Sequence, residues 1–243
     1  DVYNWRNSYV AFRNLKIIDM KDKEWADEIK RQKDLDRYPK WPNEIMLKVL
    51  YGKYLKHNFN LRKNIKVLDV GCFSGNNLFP FASMGSLCYG IDIHEDIIRN
   101  TKIIFDKKKY SGNFKVGNNT SIPFPDNTFD LLLSINTIHY ESSINSVENA
   151  FEEFKRVLKP KGRILIITVG KNHDIKKKAV KLEESIYKIQ DFDFRDGQIF
   201  HFFENKNSFR KILNNYFNKV EVGEVTEKLM TKTLGFYVGT AEK

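Results

Sequence analysis

Cysteine is scarce in this chain of 243 residues: Cys72 and Cys88 are the only two. They form no C-x-x-C pair, and no histidine stands at ligand spacing to them, so neither a disulfide framework nor a metal site is expected. Cys88 falls in a strand pattern and reads as a small core residue. Long apolar runs are also missing. None approaches the roughly 20 residues that a membrane helix needs, so no membrane span is expected. The opening "DVYNWRNSYVAFRN" lacks the apolar centre of a signal peptide. These absences suit a reduced, cytoplasmic protein. Acidic residues are outnumbered, 31 against 41 basic ones, for a net charge of +10. The excess argues only weakly for nucleic acid, because the lysines are scattered. Their densest runs, "DKKKY" (Asp106–Tyr110) and "KNHDIKKK" (Lys171–Lys178), fit a helix end and a solvated loop. The plainer reading is a compositional excess of lysine; a middle reading is that such a charge attracts a small anionic substrate.

What is present is an alternation. Residues 1–64 interleave charges with aromatics and show helical periodicity, with Ile45, Met46, Val49, Leu50 and Tyr54 on one stripe after Pro42-Asn43. They read as a cap of two or three helices. From Ile65 to the end, residues 65–243 read as one α/β domain. Strands are expected at Ile65–Val70, Leu87–Ile93, Phe114–Gly117, Asp130–Ile135 and Arg163–Val169. Helices are expected after Gly75, over Glu95–Lys108, Val147–Leu158 and Ser208–Phe217. The segments "KVEVGEV" and "GFYVGTAE" read as a closing antiparallel hairpin. Residues 171–205 form a long irregular insertion. The fold class is therefore α/β, a doubly wound seven-stranded, mostly parallel sheet with an antiparallel end and an N-terminal helical cap.

Such a sheet takes its ligand at the carboxyl ends of its strands. The first end is "VLDVGCFSGNN" (Val67–Asn77). A dinucleotide loop needs G-x-G-x-x-G, but its second and third glycine positions hold Phe73 and Asn76. No P-loop lysine is present either. Asp69, Gly71 and Gly75 remain, a turn suited to a ligand with a carboxylate and an amine. The bland alternative is a tight turn without a ligand. The second end is Asp92 in "GIDIHED", about 20 residues on, where an acid takes ribose hydroxyls; a helix N-cap is its plain alternative. The third is Asn118, able to face an adenine edge. The fourth is "LLLSINTIHY", with Ser134, Asn136 and His139; this histidine is either structural or a general base.

The series "VLDVGC-x-SG", "GIDI", "GNNTSIPFPDNTFD", "SINTIHY" and "EEFKRVLKPKGRI" resembles the class I S-adenosylmethionine-dependent methyltransferases, small-molecule type. The resemblance runs from Ile65 to about Val169. It implies that Asp69, Gly71, Cys72, Ser74, Gly75 and Asn77 surround the methionine part of the cofactor. Asp92 would bind the ribose, Ile93 would pack on the adenine, and Asn118 with Asn119 would meet the base, Asn118 accepting through its side-chain oxygen where many members carry aspartate. Ser134 and Asn136 complete the cofactor set. Phe73 replaces a family glycine, so its side chain is expected to point away from the cofactor or into the cap. "RYPKWPNE" (Arg37–Glu44) resembles a closing cap, in which Arg37, Tyr38 or Trp41 would meet the cofactor carboxylate or the substrate.

The reaction implied is transfer of a methyl group to oxygen of a small anionic metabolite, such as a surface-polysaccharide precursor, leaving S-adenosylhomocysteine. His139 is the candidate base, with Tyr140 beside it and His201 as an outsider from the insertion. N-methylation of a small amine is the alternative. An RNA-modifying or RNA-binding protein is disfavoured, since the fourth strand ends "SINTIHY" rather than in N-P-P-Y. A non-catalytic cofactor-binding subunit is disfavoured by the intact motifs. Oligomeric state is not legible in the sequence.

Overall fold

In the computed structural model, residues 40–243 are described, together with the single position Asp27. Arg37 and Tyr38 of the expected cap lie outside the described residues. The described chain opens with helix α1 (Glu44–Tyr51), started by Asn43, whose side chain accepts from the Met46 amide. Ile45, Met46 and Leu50 are buried, whereas Tyr54, expected on the same stripe, is exposed beyond the helix end.

Seven strands follow in one sheet: β1 (Lys66–Val70), β2 (Leu87–Asp92), β3 (Gly112–Val116), β4 (Phe129–Ile135), β5 (Leu158–Val169), β9 (Asn218–Leu229) and β10 (Lys232–Glu242). Their spatial order is β3-β2-β1-β4-β5-β10-β9. The first five are parallel, and β10 runs antiparallel to both β5 and β9. The order reverses between β1 and β4, which leaves a crevice above their carboxyl ends.

Alternation of side chains divides each inner strand between two cores. Leu68, Leu132, Ile164 and Ile166 face helices α4 (Ile144–Val157) and α6 (Lys206–Tyr216), meeting Phe151, Phe154, Phe209 and Leu213. Val67, Leu131, Leu133, Leu165 and Ile167 face the other way, onto α1, α2 (Phe79–Ser83) and α3 (Glu95–Lys107) through Met46, Phe81, Ile98 and Phe105. Each such fully buried side chain contributes ~1.5–3 kcal/mol.

Two sequence expectations need correction. The strand expected at Arg163–Val169 begins earlier, at Leu158, and takes in "LKPKG" with a bulge. Phe129 pairs with Leu158 and Leu131 already with Arg163, while Lys161 takes a φ of 65°. The insertion is also not irregular. It holds a short helix α5 (Asp174–Lys177) and a three-stranded antiparallel sheet of β6 (Ala179–Glu183), β7 (Ile186–Ile189) and β8 (Ile199–His201). Val169, Ile175, Ile189, Phe200 and Phe202 give it a small core of its own.

Candidate active site

The turn after β1 is built by hydrogen bonds that all point inward. The amides of Gly71 and Cys72 both donate to the Ile91 carbonyl at 2.8 Å, which draws β1 and β2 together at their ends. Gly71 has a φ of 71°, and a Cβ there would meet Thr137 Cγ2 at 2.3 Å, so only glycine fits. Gly75 is also left-handed, but its neighbours are Phe105 and Thr101 of α3. Its smallness serves helix packing, not a ligand above the loop.

Phe73 adopts a φ of 44°, the backbone conformation that glycine would supply. Two bonds hold it there. Its amide donates to Asp92 Oδ2 at 3.2 Å, and its carbonyl accepts from the Thr101 hydroxyl. Phe73 is half-buried and lines the cavity above the turn together with Trp41 and Asn43 of the cap segment. The other broken fingerprint position has a clear task. Asn76 Nδ2 donates to the Trp41 carbonyl at 2.7 Å, while Asn77 Oδ1 accepts from the Asn43 amide at 3.0 Å. The two asparagines fasten the start of α1 to the turn.

That cavity measures about 650 Å³ and lies over the β1–β4 crevice. Gly71, Cys72, Asn77, Asp92, Ile93, Asn118, Asn119 and Asn136 line it, as does Trp41 from the cap segment. Four expected residues do not. Asp69 is fully buried beneath the turn, where burial holds its carboxyl well above the usual range, partly offset by the Asn77 amide and reinforced by Asp92. Ser74 is buried with its hydroxyl on Asn76 Oδ1. Gly75 faces α3, and Ser134 is buried with its hydroxyl 2.7 Å from that of Thr137.

Asp92 is buried at the cavity wall. Burial raises its pKa, and the His94 and Phe73 amides, which donate to Oδ1 and Oδ2 at 3.2 Å each, hold it back. Those bonds use one lone pair on each oxygen and leave one on each for a diol. The helix-cap alternative is half right: Asp92 does bond the His94 amide, but His94, the N-cap of α3, has no side-chain cap bond. Burial and the two acids raise the Cys72 thiol's pKa, so it stays protonated. Ile93, 54% exposed at the rim, offers an uncovered apolar face.

At Asn118 the expectation changes polarity. Its Oδ1 already accepts from the Thr120 amide at 3.0 Å and hydroxyl at 3.1 Å. The group left for a base edge is therefore the donor Nδ2. Asn119 donates to Glu141 Oε1 at 2.8 Å, and its Oδ1 is buried without a hydrogen-bond partner among the described residues. Asn136 Oδ1 is likewise unpartnered.

A second cavity of about 410 Å³ adjoins the first, and Asn136 and Tyr140 line both. His139 belongs to this second cavity only. Its ring packs 4.8 Å from Phe200, its Nδ1 lies 3.3 Å from the Thr168 hydroxyl, and burial pushes its pKa down to about 3, with Arg195 adding to the effect. Burial raises the Tyr140 phenol; Arg195, hydrogen-bonded to it, opposes this. His201 lines neither cavity. It lies on β8 against Phe203, with burial pushing its pKa to about 4. Sequence reasoning missed Arg195, Gln198 and Lys232, because nothing in the chain tells where an insertion or a hairpin tip folds back.

Residues 68–166 match the family model described as a methyltransferase domain. These residues, less than half of the chain, are similar to a methyltransferase domain. The chain superposes on a solved S-adenosylmethionine-dependent methyltransferase of Methanosarcina mazei, with a TM-score of 0.65 over 84% of this chain and 98% of that one, at 22% identity. A sterol 24-C-methyltransferase of Gibberella zeae is 32% identical over 54% of this chain and 36% of its own length. A ubiquinone biosynthesis O-methyltransferase of Pelagibacter ubique is 27% identical over 61% of this chain and 60% of its own. The chain thus spans less than two thirds of either relative. The Methanosarcina mazei protein depends on S-adenosylmethionine, and the cavity here has features that suit such a ligand: Asp92 has acceptors left for a ribose, Ile93 an open apolar face, and Gly71 a surface no Cβ could share. Among the described residues no group of three His, Cys, Asp or Glu could hold a metal. No helix among them is long and apolar enough to cross a membrane.

Proposed function

We propose that this protein transfers a methyl group from S-adenosylmethionine to an oxygen of a small anionic metabolite. The supporting observation is the junction of two cavities at Asn136 and Tyr140, one fitted to the cofactor and the other carrying Arg195 and Lys232. S-adenosylmethionine supplies a methyl group on a sulfonium, so the chain's task is to align an acceptor and exclude water. In this reading the Asp92 carboxylate takes the ribose hydroxyls, Ile93 covers the adenine and Asn118 Nδ2 donates to the base. The backbone at Gly71 and Cys72 forms the floor under the methionine part, and Asp69 acts on it through Asn77.

His139 has a smaller role than the sequence suggests. A buried imidazole whose pKa lies at about 3 is neutral at physiological pH but accepts a proton poorly. An acceptor that arrives already ionised needs no such base, which agrees with a basic acceptor cavity. The cavity's apolar wall of Val169, Phe192, Leu234 and Phe236 favours a flat or apolar body over a polyol, so the sugar-precursor expectation gains no support. Methylation of a small amine is the second reading. Asn119 Oδ1 and Asn136 Oδ1, without hydrogen-bond partners among the described residues, favour it, since both would accept from the N–H groups of a free amine and leave its lone pair for the methyl group.

The test is calorimetric titration with S-adenosylhomocysteine, followed by transfer of labelled methyl to matched panels of phenols, carboxylates and amines. Micromolar binding with turnover of oxygen acceptors is expected. Turnover confined to amines replaces the oxygen reading, and no binding removes the cofactor reading altogether.

A further inference from the structure

The loop between β7 and β8 reaches both cavities. It is held closed by its own bonds: Asp191 N to Asp196 Oδ1 at 2.9 Å, Gln198 N to the Arg195 carbonyl at 3.1 Å, and Gly197 N to the Ile189 carbonyl at 2.9 Å. Gln198 is only 1% exposed and lines the first cavity, yet neither its Oε1 nor its Nε2 has a hydrogen-bond partner. Burying both ends of an amide unpaired costs about 1–3 kcal/mol per group, a cost a complementary ligand offsets.

The same loop supplies the second cavity with Phe192, Asp193 and Arg195. Arg195 Nε and Nη2 grip the two oxygens of Asp193, so that pair is neutral, and Arg195 also bonds the Tyr140 phenol. Lys232, from the start of β10, stands with its Nζ 5.1 Å from the Phe192 ring centroid and forms no ion pair among the described residues. His139 and His173 are neutral, with burial holding them to about 3 and about 4. Among the described residues the cavity carries a net single positive charge, Lys232 and Arg195 against Asp193, beside an aromatic wall.

We propose, resting on the cofactor reading above, that this second cavity is the acceptor subsite and takes a small aromatic anion. Lys232, backed by Arg195, binds the anionic group; the ring lies against Phe192 and Phe236; and Gln198 hydrogen-bonds the end of the acceptor that reaches past Asn136 into the cofactor cavity. Specificity then resides in the insertion and the hairpin, outside residues 68–166.

The probes are benzoate, its neutral isostere benzamide, and 4-hydroxybenzoate, titrated by NMR into the protein saturated with S-adenosylhomocysteine. Benzoate is expected to bind about tenfold more tightly than benzamide, the size of one charge-assisted contact. Lys232→Met should erase that preference and leave S-adenosylhomocysteine affinity unchanged. Gln198→Leu should weaken 4-hydroxybenzoate severalfold while sparing benzoate, a split that general loosening of the loop would not give. Equal binding of benzoate and benzamide, a silent Lys232→Met, or no probe binding at millimolar concentration overturns the acceptor subsite. Failure of S-adenosylhomocysteine itself to bind overturns the cofactor reading instead, so the two failures are distinct.

Discussion

Asp92 is held by two amides on one side and open to the cavity on the other, which makes it the side chain whose loss should be felt first. Asp92→Ala is expected to weaken S-adenosylhomocysteine by ~10–100-fold, as loss of two hydrogen bonds to a carboxylate implies, with the melting temperature checked in parallel. His139 behaves oppositely. With a pKa of about 3 its imidazole stays neutral, so its ring-proton NMR shifts should not move between pH 5 and 8. A titration with a midpoint near 6.5 would return it to the role of general base. Phe73 shows why single residues mislead. By composition it breaks a glycine loop; in the fold, the bonds from Thr101 and to Asp92 hold a bulky residue at a φ of 44°.

At the scale of elements, α1 is tied to the β1 turn by Asn76 and Asn77. Asn76→Gly restores a fingerprint glycine and removes one tie. Far-UV circular dichroism should be unchanged while amide exchange over residues 41–51 speeds up; unchanged exchange would show that packing of Met46 and Leu50 alone holds the helix. The inner parallel strands β1, β4 and β5 were legible because each carries an apolar run buried on both faces, and α3, α4 and α6 because their buried positions recur at helical spacing; the edge strand β3 buries only Phe114. The insertion was not. Four of the five residues of β6 are exposed, and β8 is three residues long, so neither carries a periodic signal. The same limit hid Gln198 and Arg195, whose positions depend on how β7 and β8 pair. Residues that line the first cavity were legible where a strand end and a motif coincide, as at Gly71 and Asp92, whereas Gly75 and Ser134, taken from the same motifs, pack away from it.

Across the whole molecule, three buried histidines link stability to pH. His139, His173 and His201 titrate near 6.5 when unfolded but at about 3, about 4 and about 4 when folded. Their depressed values mean that the unfolded chain binds protons first, so stability is whole above pH 6.5 and falls as pH drops toward 4. Asp69, raised instead, works against this fall, so the effect of one histidine is best read by difference. His201→Gln should make the slope of unfolding free energy between pH 4.5 and 6 shallower by about 1 kcal/mol per unit. The net charge of +10 is spread over the chain and should not hold bulk RNA at roughly physiological salt; a gel shift that persists there, with a steep salt slope, would revive the nucleic-acid reading. One feature joins these scales. Asn136, left-handed at a φ of 60° and pinned by its amide to the Ile167 carbonyl at 2.8 Å, stands at the threshold shared by both cavities. A fixed post between an anchoring charge and a reaction centre works as a ruler. Acceptors that place their reactive atom one methylene too near or too far from the anchored group should bind and yet fail to react.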